Sequence, residues 1–142
     1  TDKGVTNVRN TTSPHWRRWL GPANRCVVPF TSFSEFGKVD GGRPKPVWFG
    51  PTVTQRTLFF AGIWTEWTSV RTLKEGETTN DLFAFLTVEP NAVIGPIHPK
   101  AMPVILRSPE AIAHWLTAPV EEALKLQRPF PDDGLEVIED PI

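Results

Sequence analysis

Fifteen prolines and ten glycines cut the apolar residues of this chain into short runs. The runs that remain are short, rich in aromatic and β-branched residues and set among Pro and Gly, the pattern of strands rather than helices. They are Cys26 to Phe30, Val47 to Phe49, Thr57 to Trp64, Asp81 to Val88 and Val104 to Leu106, with a terminal strand expected around Leu135 to Ile138. Six Trp and nine Phe, with no Tyr, place most of the large side chains on these strands and their flanks. Val39 to Pro46 and the polar stretch Thr65 to Glu77 read as loops.

Helices are signalled at the margins only. Ser13-Pro14 opens one, with Ser as N-cap and Pro at the first helical position, and Trp16, Trp19 and Leu20 form its apolar stripe before Gly21-Pro22 stops it. Ser108-Pro109-Glu110 repeats that signature ahead of Ile112, Trp115 and Leu116. A third short helix is expected from Thr117 or Pro119 to about Leu126, with Glu121 and Glu122 in the first turn, where the helix dipole favours acid. The expected fold class is α+β: a largely antiparallel, curved or barrel-like sheet with a few short peripheral helices. Residues 1–142 form one domain, long enough to bury a core.

The formal net charge of −1 hides an asymmetry. Residues 1–46 carry eight Lys and Arg against three Asp and Glu, or +5, and residues 121–142 carry two against seven, or −5. A basic lobe and an acidic tail fit a polyanion-binding face with a separate solvated end, although charge blocks also arise as plain surface. The single cysteine, Cys26, excludes an intramolecular disulfide and a Cys-based metal site, and it fits a reducing, cytoplasmic setting. No stretch approaches the ~20 apolar residues of a membrane span. Neither a metal nor a cofactor is expected, for no Cys/His zinc spacing and no glycine-rich phosphate loop is present.

Two residues stand out chemically. Glu35 is a lone carboxylate between Phe33 and Phe36, at the end of a strand-type run and just before Gly37. A carboxyl desolvated by aromatics has its pKa raised toward the range useful for proton transfer. The alternative is an edge-strand glutamate facing water. His98 lies between Pro96 and Pro99, where a regular helix or ladder is impossible, so a stiff loop holds the ring at the mouth of the next strand. That suits an acid/base role; a structural histidine bonded to a carbonyl is the alternative. In the polar stretch Thr6 to Asn10, Asn7 would orient a substrate group and Arg9 would clamp phosphate, unless the stretch is a simple turn. Arg17 and Arg18 face away from the tryptophan stripe and are candidates for a phosphate backbone.

Taken in order, Thr6-Asn7-Val8-Arg9, then Arg25-Cys26 through Ser34-Glu35-Phe36, then Ile97-His98-Pro99-Lys100-Ala101-Met102-Pro103 resemble the Asn-x-Arg, strand-Glu-aromatic and Ile-His-x-x-Met-Pro stretches of the SOS-response-associated peptidase (SRAP) family. The likeness covers most of the chain. It implies a DNA-damage protein that binds single-stranded DNA containing abasic sites. An N-terminal cysteine would join the sugar aldehyde through a Schiff base that closes to a thiazolidine. The same resemblance assigns Asn7, Glu35 and His98 to catalysis: Asn7 orients, Glu35 moves protons in Met removal and imine chemistry, and His98 protonates the sugar oxygen. Arg9 would hold phosphate, Phe36 would stack on a base, and Arg17, Arg18, Lys38 and Lys100 would line the DNA.

This sequence departs from the family pattern in two places. It begins at Thr1, so the nucleophilic cysteine is expected in a preceding segment. Cys26 cannot replace it, because a thiazolidine needs an amine and a thiol on one terminal residue. The His98 loop reads Pro99-Lys100-Ala101 where the family commonly has Asp-Arg, which leaves Lys100 as the candidate phosphate contact. Two other readings fit the same residues: a non-catalytic reader of single-stranded DNA, and a general hydrolase using Glu35 and His98.

Overall fold

Two long neighbouring strands form the spine of the molecule. Aromatic and β-branched residues in their inner halves and threonines in their outer halves suit a pleated surface throughout. The structure, a computed structural model, describes residues 1, 4, 7–37, 42–53 and 57–139. In chain order the strands are β1 (Asn7–Val8), β2 (Arg25–Phe30), β3 (Phe33–Gly37), β4 (Lys45–Pro51), β5 (Leu58–Val70), β6 (Glu77–Val88), β7 (Met102–Pro103), β8 (Ile105–Leu106) and β9 (Leu135–Ile138). The helices are α1 (Pro14–Arg17), α2 (Pro109–Thr117) and α3 (Val120–Ala123).

The larger sheet runs β1-β6-β5-β2 and curls into a half-barrel, with β7 added to β6 and β8 to β5. The smaller runs β3-β4-β9. Every described pairing is antiparallel except that of β1 with β6. The α+β class, the dominant antiparallel pairing and the few short helices are as the sequence predicts. No helix among the described residues is long and apolar enough to cross a membrane.

Several local expectations are corrected. The stretch from Thr65 to Glu77 is not a loop: β5 continues to Val70, and β6 begins at Glu77. These outer halves pair residue for residue, from Thr65 opposite Leu82 to Val70 opposite Glu77. The hydroxyls of Thr68 and Thr79 meet across them at 2.8 Å. Polar side chains mark this part as a solvent-facing ribbon, while β-branched content makes it a strand. The turn itself is shorter, and Gly76 takes it at a φ of +72°, the left-handed region that glycine enters without a Cβ clash.

The first helix is a single turn, and the Ser13 side chain makes no capping bond. Trp19 and Leu20 follow in successive turns, and Pro22 restarts the chain as a short 3-10 helix. Ser108 does cap α2, its hydroxyl accepting from the Ala111 amide at 3.0 Å. Asn7-Val8, open to a turn reading, forms β1.

The core gathers where the two sheets meet. Phe30 stacks on Phe60 at 4.0 Å, and Phe33 packs against both at 5.4 and 5.5 Å. Phe33 also reaches Phe49 of β4. On the helical side, buried Trp115 donates its indole N–H to the carbonyls of Cys26 and Gly62, at 2.9 and 3.2 Å. One side chain thus joins α2 to both β2 and β5. Trp115→Phe keeps most of the packing and leaves those carbonyls without the donor, so it should lower unfolding stability by ~1–3 kcal/mol, read by denaturant titration.

Candidate functional site

A two-residue period along β3 sends Phe33, Glu35 and Gly37 to one face and Ser34 and Phe36 to the other. The Phe33 face is the inner one, since its ring enters the aromatic core. Glu35 therefore points inward from an edge strand, and its side chain is only 26% exposed. Phe36 is 66% exposed on the opposite face. The carboxylate is flanked by Phe33 and by the loop that carries His98, and Phe36 is not part of its enclosure.

That loop is built by Asn91, a residue sequence reasoning passed over. Its buried amide donates to the Phe130 carbonyl at 2.9 Å, and its Oδ1 accepts from the amides of Val93 and Ile94. Turn bonds then run from Gly95 to the Asn91 carbonyl, and from Ile97 and His98 to that of Ile94. The ring is fixed as well: His98 Nδ1 donates to the Ala101 carbonyl at 2.9 Å. A carbonyl only accepts, so Nδ1 carries a proton and Nε2 is left facing Glu35. His98 is thus a carbonyl-bonded histidine and, by the same bond, an aimed one.

Nε2 lies 3.7 Å from Glu35 Oε2. Burial pushes the Glu35 carboxyl above its ordinary range, and the opposing charge of His98 draws it partly back. Gly37 sets the approach of the two segments. A Cβ there would strike the Ile97 side chain and stand 2.9 Å from its carbonyl oxygen. In sequence Gly37 reads as a turn; its role is to let β3 lie against the residue before His98.

Arg9 comes to the same loop. Its Nη1 donates to the Lys100 carbonyl at 3.3 Å, and Nη2 is 3.9 Å from Glu89. Asn7, two residues earlier, is exposed on β1 opposite Phe85. Among the described residues its side chain bonds to neither Glu35 nor His98. Lys100 is exposed beside Arg9. Lys38 lies outside the described residues.

Arg17 and Arg18 are engaged elsewhere. Arg17 pairs with Glu121 at 2.6 Å, and Arg18 lies over the Trp19 ring at 4.0 Å and 5.5 Å from that of Trp67. A cavity of about 350 Å³ opens beside them, lined by Trp16, Trp19 and Trp67 with Ile63 and Leu82; neither Glu35 nor His98 borders it. Burial pushes the Cys26 thiol up, away from the reactive thiolate.

Two outcomes follow from this geometry. Gly37→Ala should force β3 from the His98 loop and, in solution titrations, return the Glu35 carboxyl toward its ordinary value. Because Glu35 titrates higher folded than unfolded, its contribution to stability is full below the ordinary carboxylate range and is lost as pH rises through the folded value. Glu35→Gln should remove that loss, so unfolding curves over a pH series should be flatter for the variant.

Residues 3–139 match the family model for SOS response associated peptidase (SRAP). No curated protein matches the sequence. A solved structure of a protein from Bacteroides thetaiotaomicron superposes with a TM-score of 0.74 at 23% identity, covering 94% of this chain and 58% of its own. At that identity the likeness speaks for the fold alone. With nearly its whole length matched, the chain belongs to the SOS response associated peptidase (SRAP) family.

Proposed function

We propose that this chain is the acid/base and DNA-contacting part of a protein that binds single-stranded DNA and forms a covalent link to abasic sites. Family membership supports a DNA-damage-associated function. The observation that carries the finer reading is the Glu35–His98 pair, a carboxyl raised by burial 3.7 Å from an imidazole of fixed tautomer.

An abasic deoxyribose rests mainly as a closed hemiacetal, and opening it moves two protons. Glu35 takes the one on the C1 hydroxyl, and His98, carrying a second proton on Nε2 as the imidazolium while Nδ1–H stays on the Ala101 carbonyl, delivers that proton to the ring oxygen as its bond to C1 breaks, leaving an aldehyde. The amine of an N-terminal cysteine outside this sequence adds to that carbon, and one of its protons passes to the carbonyl oxygen to make a hydroxyl. Protonated Glu35 then assists loss of the hydroxyl as water. The thiol of the same residue adds across the C=N bond, sulfur joining carbon and the proton going to nitrogen, to give the thiazolidine. A carboxyl raised above its ordinary range by burial is a better proton donor-acceptor than an exposed one, because its pKa is moved in the direction of the working pH.

Asn7 is placed in this scheme as the group that orients the sugar, on a strand that leads directly to Arg9. Arg9 and Lys100, exposed side by side at the His98 loop, would meet the phosphates flanking the site. Exposed Phe36 would offer a face for one base, a contact worth ~1–3 kcal/mol. With Arg17 held by Glu121 and Arg18 on its tryptophans, the strand path rests on Arg9, Phe36 and Lys100.

The full-length gene product incubated with an abasic single-stranded oligonucleotide should give a species that survives denaturation. Glu35→Gln should slow its formation by ~10²–10⁴-fold and leave reversible binding intact. Binding without any such species from an intact N-terminus would overturn the covalent reading and leave a non-catalytic reader of single-stranded DNA.

A further inference from the structure

The β1–β6 ladder ends at Val8 opposite Leu86. The next positions along it are Arg9 and Thr87, and no described backbone bond joins them. A side chain from a distant part of the chain stands there instead. Gln127 Nε2 donates to the Arg9 carbonyl at 2.9 Å and to the Thr87 carbonyl at 3.0 Å. Its Oε1 accepts from the Thr11 hydroxyl at 3.2 Å. Both N–H groups and the carbonyl of one primary amide are thereby used.

Gln127 is itself held. It closes the 3-10 turn Leu124–Leu126, its backbone N–H donating to the Leu124 carbonyl at 3.1 Å, and it is half-buried. From this we infer that Gln127 is a positioning residue: its side-chain amide acts as a final rung between β1 and β6 and holds Arg9 against the His98 loop. Without it, two facing carbonyls repel and have no donor between them, and the end of a two-residue strand is free to splay. Arg9 reaches the Lys100 carbonyl from that end, so splaying removes the guanidinium from the loop carrying His98.

The alternative, that Gln127 only ties the C-terminal segment to the sheet, predicts lost stability without a selective effect through Arg9. The functional part of the inference rests on the proposed phosphate contact of Arg9, so the test separates the two. Gln127→Met keeps side-chain length and removes both donors; Gln127→Glu keeps the shape and turns the donor into an acceptor. Hydrogen exchange of the full-length protein reads the rung directly. In both variants the amides of residues 7–9 should exchange faster while those of β5 are unchanged, and unchanged exchange at 7–9 would overturn the inference whatever happens with DNA.

Binding of a single-stranded oligonucleotide, followed by fluorescence anisotropy at several salt concentrations, reads the consequence. Gln127→Met should weaken binding about fivefold, the scale of one lost hydrogen-bonded contact. It should lower the salt slope by about one, and add nothing once Arg9→Ala is present. Additive losses in the double variant would overturn the link through Arg9. Arg9→Ala without effect on binding, alongside faster exchange at 7–9 in Gln127→Met, would sustain the rung and remove the phosphate reading of Arg9.

Discussion

The cluster of Phe30, Phe33, Phe49 and Phe60 fixes how the two sheets meet, and the site depends on that meeting. Phe33 is the member that belongs to β3, and its ring contacts the other three. Since side chains alternate along a strand, seating Phe33 in the core decides at once that Glu35 and Gly37 also face inward. A shift by one residue would bury Ser34 and Phe36 and send the carboxylate to water. The register that satisfies the largest apolar side chain is thus the one that desolvates the acid, and hydrophobic packing of this size exceeds the cost of moving a carboxyl pKa.

The second side of the pair is fixed by polar bonds. Asn91 converts the segment after β6 into a closed turn, and that turn delivers His98 with its backbone N–H and one ring nitrogen already bonded. Prolines on either side restrict the chain further. The result is an imidazole with one free nitrogen and one direction. A packed strand and a hydrogen-bonded loop converge because Gly37 has no side chain to keep them apart.

Much of this was legible in the sequence. Aromatic-rich runs bounded by Pro and Gly gave most strands, and a lone acid among phenylalanines marked Glu35. The outer halves of β5 and β6 were missed because their residues are polar, although Thr68, Val70, Thr78 and Thr79 are good strand formers. A hairpin that extends past the core leaves no apolar alternation to find. Charge was misleading in a different way. The basic and acidic ends are not separate: Arg17 of the basic lobe pairs with Glu121 of the acidic one. Arg25, counted as surface charge, is buried and donates to the Ala118 carbonyl at the C-terminus of α2, where the dipole favours a cation. Asn91 and Gln127 left no sequence signal, because their partners are main-chain carbonyls and amides, which any sequence supplies.

The separation of Glu35 and His98 carries one more consequence. At 3.7 Å the two side chains attract, but they do not form the short, aligned hydrogen bond that would close them on each other. Had Nε2 and the carboxyl been at 2.8 Å, each would be the other's finished partner and neither would have bonding capacity to offer. Among the described residues Nδ1 is bonded and Nε2 makes no hydrogen bond, and the part-buried Glu35 carboxyl meets Nε2 only at ion-pair distance. Polar groups drawn partly out of water without hydrogen bonds cost some stability, and such costs concentrate where a protein binds or reacts. A small oxygen-bearing group lying against both would complete the hydrogen bonding of each.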